Sequence, residues 1–227
     1  MKEKKISNRN EYFNVQIKRS REKFSYCKVS IREVLLFKKI IQPILGNIGP
    51  ILCLGTRNGR EIDVFRNVFF ANKYFIWIIR MLEIRHRGYH SLIPFVEGFF
   101  RSQIEDINDH AVIGVEINPD AKRQDVLVGS FDEMPGEWSN KFSILFSNSF
   151  DQSQDAVKTA NEWKRVLKIK KSGEEGGVLI LGFNDTPPTE SDPIGNVTYT
   201  DLLKLFEGEL IYFIKYGLHY SYVIIQF

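Results

Sequence analysis

The stretch ILCLGTRNGREI, residues 51 to 62, constrains the fold more than any other part of this 227-residue chain. Four apolar residues run into Gly55, a second glycine follows at position 59, and an amphipathic segment comes next. The pattern predicts a buried strand, a tight turn and a helix, which together form the unit of parallel α/β sheets. Such a turn also presents free backbone N–H groups at a helix N-terminus, where an anionic group binds readily.

The rest of the chain continues this alternation of apolar runs and amphipathic segments. We predict strands at 111–117, 126–131, 142–149 and 178–183, a helix at 155–168, and an antiparallel pair of strands at the C-terminus. The predicted fold is a doubly wound α/β fold, with a mostly parallel seven-stranded sheet and a C-terminal antiparallel hairpin. Because the carboxyl ends of parallel strands share one edge, the polar turns after these strands are expected to converge into a site.

An N-terminal arm, residues 1–45, precedes this domain. Positions 1–40 hold 12 Lys or Arg against 4 Asp or Glu, whereas positions 41–227 hold 19 against 24. We expect one helix over 11–42, ended by Pro43. A basic arm is compatible with nucleic-acid binding, but a solvated amphipathic helix is favoured, because no aromatic and basic interleaving of RNA-binding sheets appears elsewhere.

The predicted α/β domain spans 46–227. Within it, residues 71–109 are aromatic and basic, show no clear strand, and are predicted to be a helical insertion. The longest apolar runs, such as 75–79, fall far short of the roughly 20 residues that a membrane helix needs. Two cysteines, Cys27 and Cys53, match no metal-ligand spacing and favour a reducing compartment. We therefore expect a cytoplasmic protein with no membrane span and no metal.

Glu116 ends the strand that follows the glycine turn in the predicted sheet. A carboxylate at that place can accept from both hydroxyls of a ribose, which together with the anion site describes a nucleoside with an anionic tail. A nicotinamide dinucleotide and S-adenosylmethionine both fit. A dinucleotide loop, however, needs a glycine where Arg57 stands, and an acid about 20 residues further on. Glu116 lies 57 positions after Gly59 (116 − 59), a gap that an insertion at 71–109 would explain.

Five strings, in order along the chain, carry a family resemblance. They are ILCLGTRNGRE, GVEINPD, VLVGSFDEMP, KFSILFSNSFDQS, and EWKRVLK followed by GGVLIL. From Ile51 to about Leu181 the chain resembles the class I S-adenosylmethionine-dependent methyltransferases, and its C-terminal strand pair is similar to the hairpin that closes their sheet. The resemblance implies a doubly wound fold, S-adenosylmethionine as cofactor, and methyltransferase activity.

The resemblance places the cofactor in the polar turns. Glu116 is expected to bind the ribose, Phe131 to flank the adenine or belong to the core, and Ser147 and Asn148 to meet the methionine part. The cofactor-binding candidates are Gly55, Thr56, Arg57, Gly59, Glu116, Ile117, Ser130, Phe131, Asp132, Ser147 and Asn148.

Three residues depart from the family pattern. Cys53 stands where the family has an acid that helps to hold the methionine amine, Arg57 replaces the middle glycine, and Ser130 replaces the adenine-contacting Asp. Asp132 could substitute for that Asp. If the middle position needs a left-handed backbone, a non-glycine residue there costs roughly 1–2 kcal/mol. Arg57 is expected either to contact the ligand carboxylate or an anionic substrate, or to be a solvent-facing turn residue.

The expected reaction moves a methyl group to an oxygen or nitrogen of a small-molecule or glycan-like acceptor. In-line transfer depends mostly on holding the two reactants close and aligned. Asp151 is a candidate general base, or else the N-cap of the following helix. A non-catalytic protein of the same fold is the alternative. A nucleic-acid methyltransferase is less favoured, because the turn SNSF lacks the Asn/Asp-Pro-Pro-aromatic string of amino-methylating nucleic-acid enzymes.

Overall fold

The computed structural model of the chain describes residues 1–4, 8–23, 27–70, 111–173, 175–216 and 220–227. The insertion predicted at 71–109 lies outside these described residues, and its helical character stays a prediction.

Seven strands form the central sheet, and two short ones pair beside it. The strands are β1 Lys2–Glu3, β2 Ile51–Leu54, β3 Val112–Glu116, β4 Val126–Val128, β5 Ile144–Ser147, β6 Val178–Asn184, β7 Ile194–Gly195, β8 Glu209–Tyr216 and β9 Tyr220–Gln226. The sheet order is β4-β3-β2-β5-β6-β9-β8, and β1 pairs with β7.

Parallel pairing joins the first five strands of the sheet. β2 pairs in parallel with β3 and β5, β3 with β4, and β5 with β6. β9 runs antiparallel to both β6 and β8. The predicted seven-stranded, mostly parallel sheet with a C-terminal antiparallel hairpin is confirmed. Strand order reverses between β2 and β5, so the turn after Leu54 opens at the switch point, where such sheets bind ligands.

Helices cover both faces of the sheet. Their bounds are α1 Arg9–Glu22, α2 Ile31–Leu45, α3 Arg60–Phe70, α4 Ala156–Val166 and α5 Tyr199–Phe206. Alternate residues of β2 enter two different cores, because successive side chains of a strand point to opposite faces. One core joins β2 to α2 and α3 and includes Ile51, Cys53, Phe37 and Phe65. The other joins β2 to α4 and α5 and includes Leu52, Leu54, Trp163 and Phe206.

The single helix predicted at 11–42 is wrong. α1 ends at Glu22, and α2 begins at Ile31 with a capping box. The Ser30 hydroxyl accepts from the Glu33 N–H at 3.3 Å, and the Ser30 N–H donates to the Glu33 carboxylate at 2.7 Å. Pro43 does not stop the helix but lies in its last turn, where a missing N–H removes only one hydrogen bond.

Candidate functional site

The turn between β2 and α3 has a left-handed backbone at three positions. The φ angles are 72° at Gly55, 50° at Arg57 and 79° at Gly59. A Cβ on Gly55 would collide with the Ser149 hydroxyl, and one on Gly59 would lie 2.6 Å from the Arg123 guanidinium. The middle position therefore does need a left-handed residue, and Arg57 occupies it at a cost of roughly 1–2 kcal/mol.

Glu116 holds this turn in place from the end of β3. The residue is only 3% exposed. Its carboxylate accepts from the Arg57 N–H at 2.6 Å, from the Asn118 N–H at 3.1 Å and from the Ser20 hydroxyl at 3.0 Å. A hydrogen bond to a charged group contributes about 1.5–3 kcal/mol, so the bond to Arg57 can offset the backbone strain there. The buried acid thus has the partners that its burial requires.

Arg123 joins the same turn to the loop between β3 and β4. Its guanidinium forms forked pairs with Asp63 and Asp125 at 2.7–2.8 Å. It also donates to the Asn58 carbonyl at 3.1 Å. Burial alone would raise the pKa of Asp125, but hydrogen bonds from Arg123 and Arg66 lower it to about 2. This buried cluster fixes the turn at its α3 end.

A cleft opens at this edge of the sheet, between the turn and α1. Its cavity volume is about 40 Å³, and it opens to solvent, so α1 leaves the cleft narrow. Seven predicted cofactor residues line it together: Gly55, Arg57, Glu116, Ile117, Ser130, Phe131 and Asp132.

α1 supplies most of the remaining lining. The residues that sequence reasoning missed are Tyr12, Phe13, Gln16, Arg19, Ser20 and, from the turn after β5, Gln152. The Tyr12 hydroxyl donates to the Gln152 carbonyl, and Gln16 Nε2 donates to the Ser191 carbonyl at 2.6 Å. Arg19 forms an ion pair with Asp192. α1 therefore covers the cleft, and Arg19 is engaged within the protein.

A weak signal for this placement exists in the sequence. Tyr12, Gln16 and Ser20 recur every four residues, so they share one helix face. All three are buried, at 5%, 5% and 6% exposure. Because two of the three residues are polar, the same stripe is also typical of a solvated helix face, so the spacing alone does not identify a buried face.

The turn after β4 forms the far wall of the cleft. β4 ends at Val128, three residues before the predicted end at 131. Phe131 packs edge-on against Trp163 with ring centroids 5.7 Å apart, and the Trp163 indole N–H donates to the Phe131 carbonyl at 3.2 Å. The Asp132 carboxylate accepts from the Thr159 hydroxyl, and the Asp132 N–H donates to Ser130 Oγ at 3.2 Å.

Some predicted cofactor residues do not line the cleft. Thr56 is buried, and its Oγ1 has no hydrogen-bond partner within the described residues. The Ser147 hydroxyl donates to the Leu54 carbonyl at 3.3 Å and accepts from the Ser149 N–H at 3.1 Å, which makes it part of the strand ends. Gly59 lies against Arg123. Their roles toward a cofactor stay predictions.

A second polar group, which we call the rim cluster, lies at the ends of β5 and β6. It comprises Lys28, Asn148, Asp151, Asn184 and Tyr220. The Tyr220 hydroxyl donates to Asn148 Oδ1, and Asn184 Nδ2 lies 3.5 Å from Asp151 Oδ2. Asn184 and Tyr220 face each other across the β6–β9 pair. The Lys28 ammonium lies 3.5 Å from the centroid of the Tyr220 ring.

Asp151 lies in a 3-10 turn, Phe150–Gln152, and is not the N-cap of α4. Asp155 caps that helix by accepting from the Lys158 N–H at 2.9 Å. Burial and the nearby Asp192 raise the pKa of Asp151 to about 6, although Lys28 and Arg19 act in the opposite direction. Burial lowers the pKa of Lys28 to about 8.

Cys53 does not face the cleft. It belongs to the core beneath α2 and α3, and burial together with Glu61 raises the pKa of its thiol well above the usual value. Within the described ranges, no three His, Cys, Asp or Glu side chains are placed to share a metal ion. In the same part of the chain, no helix has the length and apolar character needed to cross a membrane.

No protein-family model and no curated protein matches the chain. Among solved structures it is similar to the PH0226 protein from Pyrococcus horikoshii OT3, at 13% identity over 86% of this chain and 89% of that one, with a TM-score of 0.48. A chain from the Haloferax volcanii complex containing the Trm112 methyltransferase activator is 13% identical over 97% and 99%, with a TM-score of 0.49. A SAM-dependent methyltransferase from Aquifex aeolicus is 12% identical over 88% and 99%, with a TM-score of 0.43. The likeness is too distant to assign a function.

Proposed function

We propose that the chain is an S-adenosylmethionine-dependent methyltransferase acting on an oxygen or nitrogen of a small-molecule or glycan-like acceptor. One observation carries the proposal: a buried carboxylate, Glu116, faces a cleft at the switch point and is hydrogen-bonded to the backbone of the glycine turn. Glu116 and the glycine turn thus form one wall of the cleft, where the carboxylate can also accept from the hydroxyls of a diol.

The residues present fit this cofactor by three criteria. Gly55 lines the cleft, and a Cβ there would collide with the Ser149 hydroxyl, so the turn requires glycine at this position. Glu116 supplies carboxylate oxygens for ribose hydroxyls. Ile117 and Phe131 offer apolar surface beside the polar turn at Ser130, as an adenine ring requires.

Each wall of the cleft has a separate task in the proposed reaction. S-adenosylmethionine supplies a methyl group on a sulfonium, which an acceptor lone pair can attack. The Gly55–Gly59 turn would hold the carboxylate end, Glu116 the ribose, and Phe131 the adenine face. α1 would exclude water from above, through Tyr12 and the buried Gln16. Holding the reactants close and aligned then supplies most of the acceleration.

A non-catalytic protein of the same fold is the second candidate. The observation that favours it is the position of Cys53, whose neutral thiol in the α2–α3 core cannot replace the carboxylate expected there. Such a protein would bind the cofactor or a partner without transferring a methyl group.

Calorimetric titration tests the proposal. We expect S-adenosylmethionine and S-adenosylhomocysteine to bind with micromolar dissociation constants, and NAD⁺ to bind at least tenfold more weakly, because Arg57 occupies the place where a pyrophosphate needs glycine. No binding of S-adenosylmethionine at millimolar concentration would refute the proposal. Binding without methyl transfer to any acceptor would support the non-catalytic alternative. Affinity for RNA that falls steeply with salt would instead support a nucleic-acid substrate.

A further inference from the structure

Two enclosed polar atoms of the rim cluster lack a partner. Asp151 Oδ1, an acceptor, and Asn148 Nδ2, a donor, are both shielded from solvent and have no hydrogen-bond partner within the described residues. Leaving a buried donor or acceptor unpaired costs about 1–3 kcal/mol each, so such atoms call for an explanation. Both lie at the carboxyl edge of the sheet, where this class of sheet binds ligands.

The hydrogen bonds of the rim cluster determine which oxygen of Asp151 and which amide atom of Asn148 have no partner. Tyr220 donates to Asn148 Oδ1, which leaves the Nδ2 donor unused. Asn184 lies against Asp151 Oδ2, which leaves Oδ1 unused. Asn148 and Asp151 lie three positions apart after β5, and their partners Tyr220 and Asn184 are register partners in adjacent strands, so the two leftover groups lie in the same part of the sheet edge.

The rim cluster adjoins the proposed cofactor cleft. Gln152, the neighbour of Asp151, lines that cleft and accepts from the cleft residue Tyr12. The charge of Arg57, another cleft residue, helps to lower the pKa of Lys28, after the larger effect of burial. A molecule bound at the cluster would therefore lie beside a ligand in the cleft.

We infer that the rim cluster is the acceptor site and that it recognises a hydroxyl group, which donates to Asp151 Oδ1 and accepts from Asn148 Nδ2. One hydroxyl satisfies both atoms, since it carries a donor and two acceptor lone pairs. An alkylamine is protonated at neutral pH, so it offers donors alone, would leave Asn148 Nδ2 unpaired and would meet the like charge of Lys28. This inference rests on the proposed function and names the acceptor class.

Asp151 acts as the general base in this assignment. The acceptor oxygen forms its new bond to the methyl carbon as the carbon–sulfur bond breaks onto sulfur, and Asp151 Oδ1 takes the hydroxyl proton. Lys28 is a positioning residue: it rests on the Tyr220 ring and contributes a positive charge near the carboxylate.

The charged groups around Asp151 set its pH response. Asp192, from the loop before β7, raises its pKa, whereas Lys28, before α2, and Arg19, from α1, lower it. Burial is the largest influence, and the resulting pKa of about 6 keeps the carboxylate ionised at neutral pH. Below that pH the carboxyl is protonated and cannot take the hydroxyl proton.

Transfer of a tritiated methyl group to matched probes tests the acceptor class. The pairs are benzyl alcohol with benzylamine and cyclohexanol with cyclohexylamine, each offered to the full-length protein with S-adenosylmethionine. We expect the alcohols to be labelled at least tenfold faster than the amines. Faster labelling of the amines, or no labelling of either while the cofactor binds, overturns the inference and leaves the cofactor assignment standing. Absence of cofactor binding overturns both.

Variants of the rim cluster test the assigned roles. Asp151→Asn should slow transfer by about 10²–10⁴-fold, the usual contribution of a general base, while the S-adenosylmethionine dissociation constant stays within about twofold. The matched control is Asp155→Asn, which changes a carboxylate in the same segment and should leave transfer unchanged. Equal rates for the two variants would refute the role of Asp151.

A readout without turnover completes the test. With ¹³C-labelled aspartate, one carboxyl resonance should titrate near pH 6 in the free protein, be absent in Asp151→Asn, and titrate at higher pH in Lys28→Met, because that variant removes a positive charge. The pH at which the transfer rate falls on acidification should also be higher in Lys28→Met. If the pKa of this resonance were the same in Lys28→Met as in wild type, Lys28 would not act on Asp151.

Discussion

Replacing Arg123 by Met perturbs the structure that holds the glycine turn. The five N–H groups of Arg123 make five described hydrogen bonds, two to Asp63, two to Asp125 and one to the Asn58 carbonyl. The side chains of Asp63 and Asp125 are 4% and 8% exposed, so the variant leaves two buried carboxylates facing each other. Removing one partner of a buried ion pair costs about 3–5 kcal/mol. Arg66 still pairs with Asp125 at 2.6 Å, which favours the lower figure.

Denaturant unfolding measures this cost, with Arg21→Met as the matched control. Arg21 pairs with Asp120 at 2.6 Å, but both side chains are more than half exposed, at 54% and 55%. An exposed pair contributes about 0–1 kcal/mol. We expect Arg123→Met to lose about 3 kcal/mol of unfolding free energy, a large part of the 5–15 kcal/mol typical of a domain. Equal losses in the two variants would refute the reasoning.

The pH dependence of stability offers an independent check on the same cluster. Burial opposes ionisation of Asp125, but Arg123 and Arg66 outweigh it and bring its pKa from 3.8 down to about 2. The stabilisation is therefore fully present above pH 4 and is lost as the pH falls through 2. A shift of this size corresponds to about 2 kcal/mol. Arg123→Met should show a shallower loss over that interval.

Two further substitutions test local features of the fold. Gly55→Ala adds a methyl group against the Ser149 hydroxyl at a φ of 72°. We expect the free energy of unfolding, measured by thermal unfolding, to fall by at least about 1–2 kcal/mol. Gly46→Ala is the control for backbone strain without collision, because φ there is 62° and nothing lies within 4 Å of the added Cβ. Ser30→Ala removes the capping box of α2 and should cost about 1 kcal/mol by denaturant unfolding, with Ser30→Thr close to wild type.

The sheet could be predicted because its signals are local. Buried parallel strands are continuous apolar runs such as Ile51–Leu54, and each is followed by a turn with glycine, proline or polar residues. Arg57 could be placed at the middle of the turn because it lies between two glycines, whereas its left-handed backbone was expected only on the condition that this position needs one. What the sequence left open there was the partner, and the structure supplies it as the backbone bond to Glu116.

The position of α1 over the cleft could not be predicted, because the contacts that hold it join residues distant in sequence. Ser20 meets Glu116 across 96 positions, and Gln16 meets Ser191 across 175. No periodicity encodes such pairings. The start of α2, in contrast, could have been predicted, because Ser30 and Glu33 form the S-x-x-E pattern that begins a helix. Asp151 was singled out by its place after β5, whereas the proximity of Lys28 and Tyr220 depends on the completed fold.

Binding of S-adenosylmethionine to wild type, Glu116→Gln and Glu207→Gln tests the central claim most directly. Glu116→Gln preserves the side-chain volume and removes the charge that would accept from the ribose, whereas Glu207 carries a 76% exposed side chain at the end of α5. We predict micromolar affinity in wild type and in Glu207→Gln, and a dissociation constant about 10–100-fold larger in Glu116→Gln, the equivalent of one charged hydrogen bond. Equal affinity in all three folded proteins, or none in wild type at millimolar cofactor, would contradict the account.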